Sequence, residues 1–97
     1  MNKRDLVREL AARTGLRLAQ AQMVVEALFG VQDEPGIIAS ALRSGQRISL
    51  PGFGVFEVRP RKPRRARNPR TGEPVDIPSR RVPRFKAGRY LKEFVAG

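Results

Sequence analysis

Arginine supplies most of the chemistry that the side chains of this sequence can perform. Sixteen of the 20 basic residues are arginine, and the chain has no cysteine, histidine or tryptophan. Without thiols and imidazoles there are no disulfide bonds, no cysteine or histidine metal sites, and no thiol or histidine catalysis. The planar guanidinium of arginine binds phosphate through two hydrogen bonds. We therefore predict that the chain binds a polyanion, with no metal and no cofactor.

The positive charge is concentrated in the second half of the chain. Residues 1–50 carry 7 basic and 5 acidic side chains, whereas residues 51–97 carry 13 and 4. From Arg59 to Arg89 there are 12 basic residues and only two acidic ones, Glu73 and Asp76. Repulsion among these cations disfavours a compact state unless a polyanion neutralises them. Composition alone leaves a solvated basic surface or a disordered basic tail as the alternative.

The acidic residues of the second half give no basis for catalysis. They are Glu57, Glu73, Asp76 and Glu93, which are spread over basic strands and a surface helix without forming a pair. We predict that the chain is not an enzyme and takes no small-molecule substrate. It has no signal-peptide pattern and no apolar run near the ~18 residues that cross a bilayer. These features predict a soluble cytoplasmic domain with no membrane partner.

Helical periodicity organises the first 46 residues. The spacing predicts a helix over Lys3–Arg13, with Asn2 as its N-cap. A second helical pattern starts near Leu18 without a capping residue before it, and Gly30–Gly36 breaks that pattern. Helical spacing resumes over Ile37–Leu42. We predict two helical segments joined by a kink or loop, and a single bent helix is the alternative.

From Arg47 onward the apolar period changes to two, which is typical of strands. Two such runs flank the turn sequence Pro51-Gly52-Phe53-Gly54 and predict a β-hairpin over residues 47–58. Residues 59–81 are cationic and rich in proline, so they cannot bury a core of their own and we interpret them as an arm. Residues 82–97 are predicted to form a closing strand and a helix over Ala87–Val95.

The tip of this arm is Arg67-Asn68-Pro69-Arg70-Thr71-Gly72, in which Asn-Pro and Thr-Gly are turn signals. A proline in such a turn often does no more than shape it. With arginines on both sides, Pro69 can also act as a rigid apolar wedge between base pairs. The spacing by itself leaves both interpretations open.

Without the arm, roughly 75 residues remain to form a core, which is marginal for an independent domain. Two copies that share one core would solve this problem and would present two arms related by a two-fold axis, which suits duplex DNA. The apolar residues predicted to lie in the core or the dimer interface are Phe29, Leu42, Phe53, Phe56, Phe85 and Phe94.

Four motifs occur in a fixed order along the chain. They are Met1-Asn2-Lys3, Pro51-Gly52-Phe53-Gly54-Val55-Phe56, Arg67-Asn68-Pro69-Arg70-Thr71-Gly72, and Val82-Pro83-Arg84-Phe85-Lys86-Ala87-Gly88 followed by Leu91-Lys92. As an ordered set, these motifs resemble the HU/integration host factor family of bacterial histone-like nucleoid proteins. The likeness covers nearly the whole chain, and the cationic arm favours an HU-like member.

The resemblance implies an α+β fold in an intertwined dimer, with a helical base, a small antiparallel sheet and one long β-ribbon arm per subunit. It implies arms that enter the minor groove of double-stranded DNA, where Pro69 matches the intercalating proline of the family. The expected function is to bend and compact DNA in the nucleoid with little sequence specificity, preferring nicked or flexible sites. The partner subunit would be a second copy or a paralogue.

The residues predicted to contact DNA are Arg59, Arg61, Lys62, Arg64, Arg65, Arg67, Asn68, Pro69, Arg70, Arg80, Arg81, Arg84, Lys86 and Arg89, with Lys3 as a secondary contact. The chain departs from the family in two ways. The segment between Leu28 and Leu42 is longer than the family's second helix by between one and two turns. The ascending strand of the arm is also unusually cationic, with Arg61, Lys62, Arg64 and Arg65. Two alternative functions stay open. One is site-specific DNA bending like that of integration host factor, and the other is a small basic RNA-binding structural protein.

Overall fold

The structure, a computed structural model, describes residues 1–97 and has an α+β fold. The elements in chain order are α1 (Lys3–Thr14), α2 (Leu18–Phe29), α3 (Ile37–Arg43), β1 (Ile48–Leu50), β2 (Gly54–Arg61), β3 (Arg64–Arg67), β4 (Pro74–Ile77), β5 (Arg80–Ala87) and α4 (Arg89–Ala96). They fall into two compact units, a helical unit over Met1–Ser44 and a β-arm unit over Gly45–Gly97. None of the helices combines the length and the apolar character that crossing a membrane requires.

The ends of α1 agree with the sequence signals. The Asn2 side chain accepts a hydrogen bond from the Asp5 N–H at 2.9 Å, and the Asp5 carboxylate accepts one from the Asn2 N–H at 3.1 Å. This reciprocal capping box confirms Asn2 as the N-cap. Gly15 ends the helix in the left-handed region, with φ of 75°, and its N–H donates to the Ala11 carbonyl.

The core of the helical unit is small. Val7, Ala21 and Val25 are its only buried side chains, and Leu10 and Ala11 pack against them partly exposed. None of the six residues predicted for the core or the dimer interface is buried in the single chain. Phe94 illustrates this, since 86% of it is exposed. Packing within a single chain therefore does not bury any of these six residues in a core.

A loop separates α2 from α3, so the prediction of two helical segments is confirmed and the single bent helix is wrong. We call residues 30–36 the α2–α3 loop. Its two ends meet, because the Gly36 N–H donates to the Gly30 carbonyl at 2.7 Å. A Cβ at Gly36 would lie only 2.8 Å from the Ala27 carbonyl oxygen, so the chain comes closer to the end of α2 than a side chain would allow.

The strands of the β-arm unit form two antiparallel sheets. One has the order β1-β2-β5, and the other pairs β3 with β4. β2 runs without a break from Gly54 to Arg61, so the predicted hairpin and the predicted arm share one strand. The helix predicted from Ala87 begins two residues later, because Ala87 still pairs with Gly54 and the Gly88 N–H donates to the Phe53 carbonyl.

Candidate nucleic-acid interface

The ribbon formed by β2 and β5 has two chemically different faces. Strand side chains alternate between faces, and directly opposite residues share a face. The pairs Arg61↔Arg80, Arg59↔Val82, Glu57↔Arg84 and Val55↔Lys86 therefore lie on one side of the ribbon. We call this side the cationic face, and its basic residues are Arg59, Arg61, Arg80, Arg84 and Lys86. All five of them are exposed.

The opposite face of the same ribbon is largely apolar. It carries Phe56 opposite Phe85 and Val58 opposite Pro83. The ring centroids of Phe56 and Phe85 lie 4.8 Å apart, and those of Phe53 and Phe85 lie 5.8 Å apart. Such tilted ring pairs stabilise a cluster beyond the effect of burial alone. The sheet thus separates an apolar surface from a surface suited to phosphate.

The outer part of the arm, β3 and β4, continues in the same register. Arg64 pairs with Ile77, and Arg67 pairs with Pro74. Between these pairs, Arg65 lies opposite Asp76, and the Arg65 Nε donates to the Asp76 carboxylate at 3.1 Å. Both side chains are well exposed, so this pair adds little stability, and its main effect is to orient one guanidinium.

The tip of the arm is a compact turn held by hydrogen bonds on both sides. The Asn68 N–H donates to the Glu73 carbonyl at 2.8 Å, and the Gly72 N–H donates to the Asn68 carbonyl at 2.7 Å. The Asn68 side chain also accepts from the Arg70 N–H at 2.9 Å. These bonds fix the backbone on either side of Pro69, whose ring is exposed to solvent. The turn therefore presents a rigid apolar ring at the arm's end.

The structure does not bring all the predicted contact residues to one surface. The cationic face holds five of them, and the outer arm and tip hold seven more, namely Lys62, Arg64, Arg65, Arg67, Asn68, Pro69 and Arg70. Arg81 lies on the apolar side of the ribbon, opposite Pro60. Arg89 begins α4 and donates to Glu93 at 3.1 Å. Lys3 belongs to the helical unit, where its ammonium contacts the Glu26 carboxylate.

Sequence reasoning missed the role of Glu57. This residue is the one acidic side chain of the β2–β5 ribbon, where it lies opposite Arg84 and accepts a hydrogen bond from Arg59 at 3.4 Å. Only 20% of its side chain is exposed. It therefore orients Arg59 while lowering the local charge. The signal was present in the sequence, because residues 57 and 59 are two apart on one strand and share a face.

Comparison with known proteins places the whole chain in one family. The family model described as Bacterial DNA-binding protein matches residues 1–96. The SPbeta prophage-derived DNA-binding protein HU 2 of Bacillus subtilis is 42% identical over 95 residues, which cover 98% of this chain and 97% of that protein. DNA-binding protein HU of Geobacillus stearothermophilus is 44% identical over 95 residues, covering 98% of this chain and 99% of that one.

Solved structures agree with the sequence comparison. The structure of Anabaena HU in a cocrystal with DNA superposes with a TM-score of 0.88 at 42% identity, covering 99% of this chain and 98% of that one. An HU mutant from Thermotoga maritima gives a TM-score of 0.67 at 29% identity, covering 98% and 99%. The fold, with its N-terminal helices, antiparallel sheets and extended arm, is thus the HU fold. This chain belongs to the bacterial DNA-binding protein HU family.

Proposed function

We propose that this protein is an architectural DNA-binding protein of the HU type, which binds double-stranded DNA with little sequence specificity and bends it. The arm is the observation that carries this proposal. Its paired strands keep one register and end in a hydrogen-bonded turn that exposes Pro69. Membership of the family and the likeness to an HU crystallised with DNA support the same function.

Phosphate contacts supply the binding free energy in this proposal. The contact residues are those of the cationic face together with the outer arm and tip, and Arg81 and Arg89 are peripheral to them. Each neutralised phosphate releases counterions from the DNA. A dimer that neutralises ~6–10 phosphates therefore loses ~10³–10⁵ in affinity between about 50 and 200 mM salt. The minor groove distinguishes A·T from G·C but little else, which keeps the sequence specificity low.

Pro69 bends the DNA by entering between two base pairs from the minor groove. Arg67 and Arg70, on either side of it, hold the adjacent phosphates. Unstacking one step costs a few kcal/mol, and this cost is offset by the additional phosphates that bent DNA brings to the protein. A nick or a flexible step lowers the deformation energy, so the protein favours such sites.

The functional unit in this proposal is an intertwined dimer, either of two copies or of this chain with a paralogue. The exposed apolar residues support it, because a small protein rarely leaves several large apolar side chains in contact with water unless they form an interface. Phe29, Phe53 and Phe85 are each between 42% and 51% exposed in the single chain. A two-fold dimer would bury them and set two arms around one duplex, in keeping with a location in the nucleoid.

Energy transfer between dyes on the two ends of a short duplex tests this function, with sedimentation to measure the stoichiometry. We expect the protein to bring the ends together and to bind a nicked duplex more tightly than the intact one. Pro69→Ala should reduce bending more than it reduces the salt dependence of binding. Pro60→Ala is the matched control, because it removes another exposed proline of the arm, in the β2–β5 ladder and away from the tip. Equal affinity for nicked and intact DNA, or a preference for structured RNA in competition, would contradict the proposal.

A further inference from the structure

The two units of the chain differ sharply in charge. The helical unit, Met1–Ser44, carries 6 basic and 5 acidic residues, whereas the β-arm unit, Gly45–Gly97, carries 14 and 4. Nearly the whole net charge of +11 therefore belongs to the β-arm unit. The helical unit as a whole therefore has almost no net positive charge with which to neutralise DNA phosphates.

Within the helical unit, Lys3 lies beside basic as well as acidic side chains, since Arg4 and Arg8 line a second groove with it. Lys3 lines a groove together with Glu26, Asp33 and Glu34, and it is the only basic residue of that groove. Its ammonium already contacts the Glu26 carboxylate. Asp33 and Glu34 are exposed on the α2–α3 loop. In this groove, one ammonium thus lies among three carboxylates.

The backbone keeps the α2–α3 loop in this position. The Gly36 N–H donates to the Gly30 carbonyl, and Ser40 bonds through its N–H to the Gly36 carbonyl and through its hydroxyl to the Pro35 carbonyl at 3.4 Å. Gly30 itself donates to the carbonyl of Glu26 at the end of α2. Because both ends of the loop are anchored to helices, Asp33 and Glu34 stay on this surface.

We infer that the acidic α2–α3 loop keeps DNA away from the Lys3 surface and confines the DNA contact to the β-arm unit. This inference rests on the proposed function. A phosphate within about 8–10 Å of these carboxylates is repelled at physiological ionic strength. It would also have to compete with Glu26 for the ammonium of Lys3. Asp33 and Glu34 therefore determine how much of a long duplex the protein engages.

The inference is tested by the salt dependence of binding to a short and a long duplex, measured on complexes that contain a single dimer. For the natural protein we expect the same slope of log affinity against log salt on both duplexes. In Asp33→Asn/Glu34→Gln the slope on the long duplex should rise by about 0.9 for each phosphate gained. Adding Lys3→Gln to that variant should remove part of the gain.

Glu9→Gln/Glu93→Gln is the matched control, because it removes two acidic charges that do not line the groove. It should leave the two slopes equal. A steeper slope on the long duplex with the natural protein would overturn the inference. This comparison uses only the natural protein, so it does not depend on whether a variant folds. The inference would also be overturned if Asp33→Asn/Glu34→Gln gave equal slopes on the two duplexes, as the control variant should. Failure of the proposed function would appear differently, as loss of binding to the short duplex.

Discussion

Pro63 and Pro78 both lie in the short gap that separates the two paired segments of the arm. The β2–β5 ladder ends at the pair Arg61↔Arg80, and the β3–β4 ladder resumes in the same register after two residues on each strand. Neither proline has an N–H to donate, so no ladder hydrogen bond can form between them. The arm is therefore divided into an inner and an outer ribbon at this proline pair.

Replacing both prolines should join the two ribbons. In Pro63→Ala/Pro78→Ala the backbone regains two N–H donors in a register that is already aligned. Each new hydrogen bond contributes about 0.5–1.5 kcal/mol, so we expect roughly 10-fold slower hydrogen exchange at neighbouring arm amides. Pro60→Ala, inside the β2–β5 ladder, serves as the control and should change little. Unchanged exchange in the double variant would mean that the prolines do not cause the division.

The cationic face predicts which arginines contribute to DNA binding. Arg61 is exposed and lies directly opposite Arg80, and no ion pair holds it. We expect Arg61→Ala to lower the salt slope of binding by about 0.9 for each lost phosphate contact, and so by about 1.8 for a dimer of two variant chains. Arg13→Ala is the control, because Arg13 is in the helical unit and already pairs with Glu9 at 3.0 Å. Equal effects of both variants would show that only net charge matters.

Gly54 is a position where the sheet leaves no room for a side chain. A Cβ there would lie 2.6 Å from the Lys86 carbonyl oxygen and 2.6 Å from two ring atoms of Phe85. Overpacking of this kind costs about 1–3 kcal/mol, so Gly54→Ala should lower the free energy of unfolding by that amount in urea titrations. A neutral Gly54→Ala would mean that the strand can shift at this point.

Phe85 connects the aromatic cluster of the β-arm unit, since it contacts the rings of both Phe53 and Phe56. Truncation to alanine should lower the free energy of unfolding by about 3–5 kcal/mol, the range for a buried phenylalanine. This size of effect is expected only if dimerisation completes the burial of a ring that is 42% exposed in the single chain. Urea unfolding with sedimentation measures both effects. Val75→Ala, on the exposed outer arm, is the control.

Local signals in the sequence were sufficient for most of the secondary structure. Asn2 caps α1 because its side chain reaches an N–H only three residues away. Gly30–Gly36 interrupts the helices, and the turn over Asn68–Gly72 forms the arm's tip, as predicted. These features depend on interactions within a few residues, and such interactions can be inferred from residue type and spacing alone.

The tertiary structure decided what depends on distant residues. Strand register set Arg61 on the cationic face and Arg81 on the apolar side, although both were predicted as DNA contacts. Strand pairing also left Pro63 and Pro78 together in the gap between the two ladders, and it kept Ala87 in a strand where helix was predicted. Helix packing joined Lys3 to Glu26 across 23 positions of the sequence. The physical reason is that pairing and packing bring together residues far apart in the chain, and no local pattern records which partner each will meet.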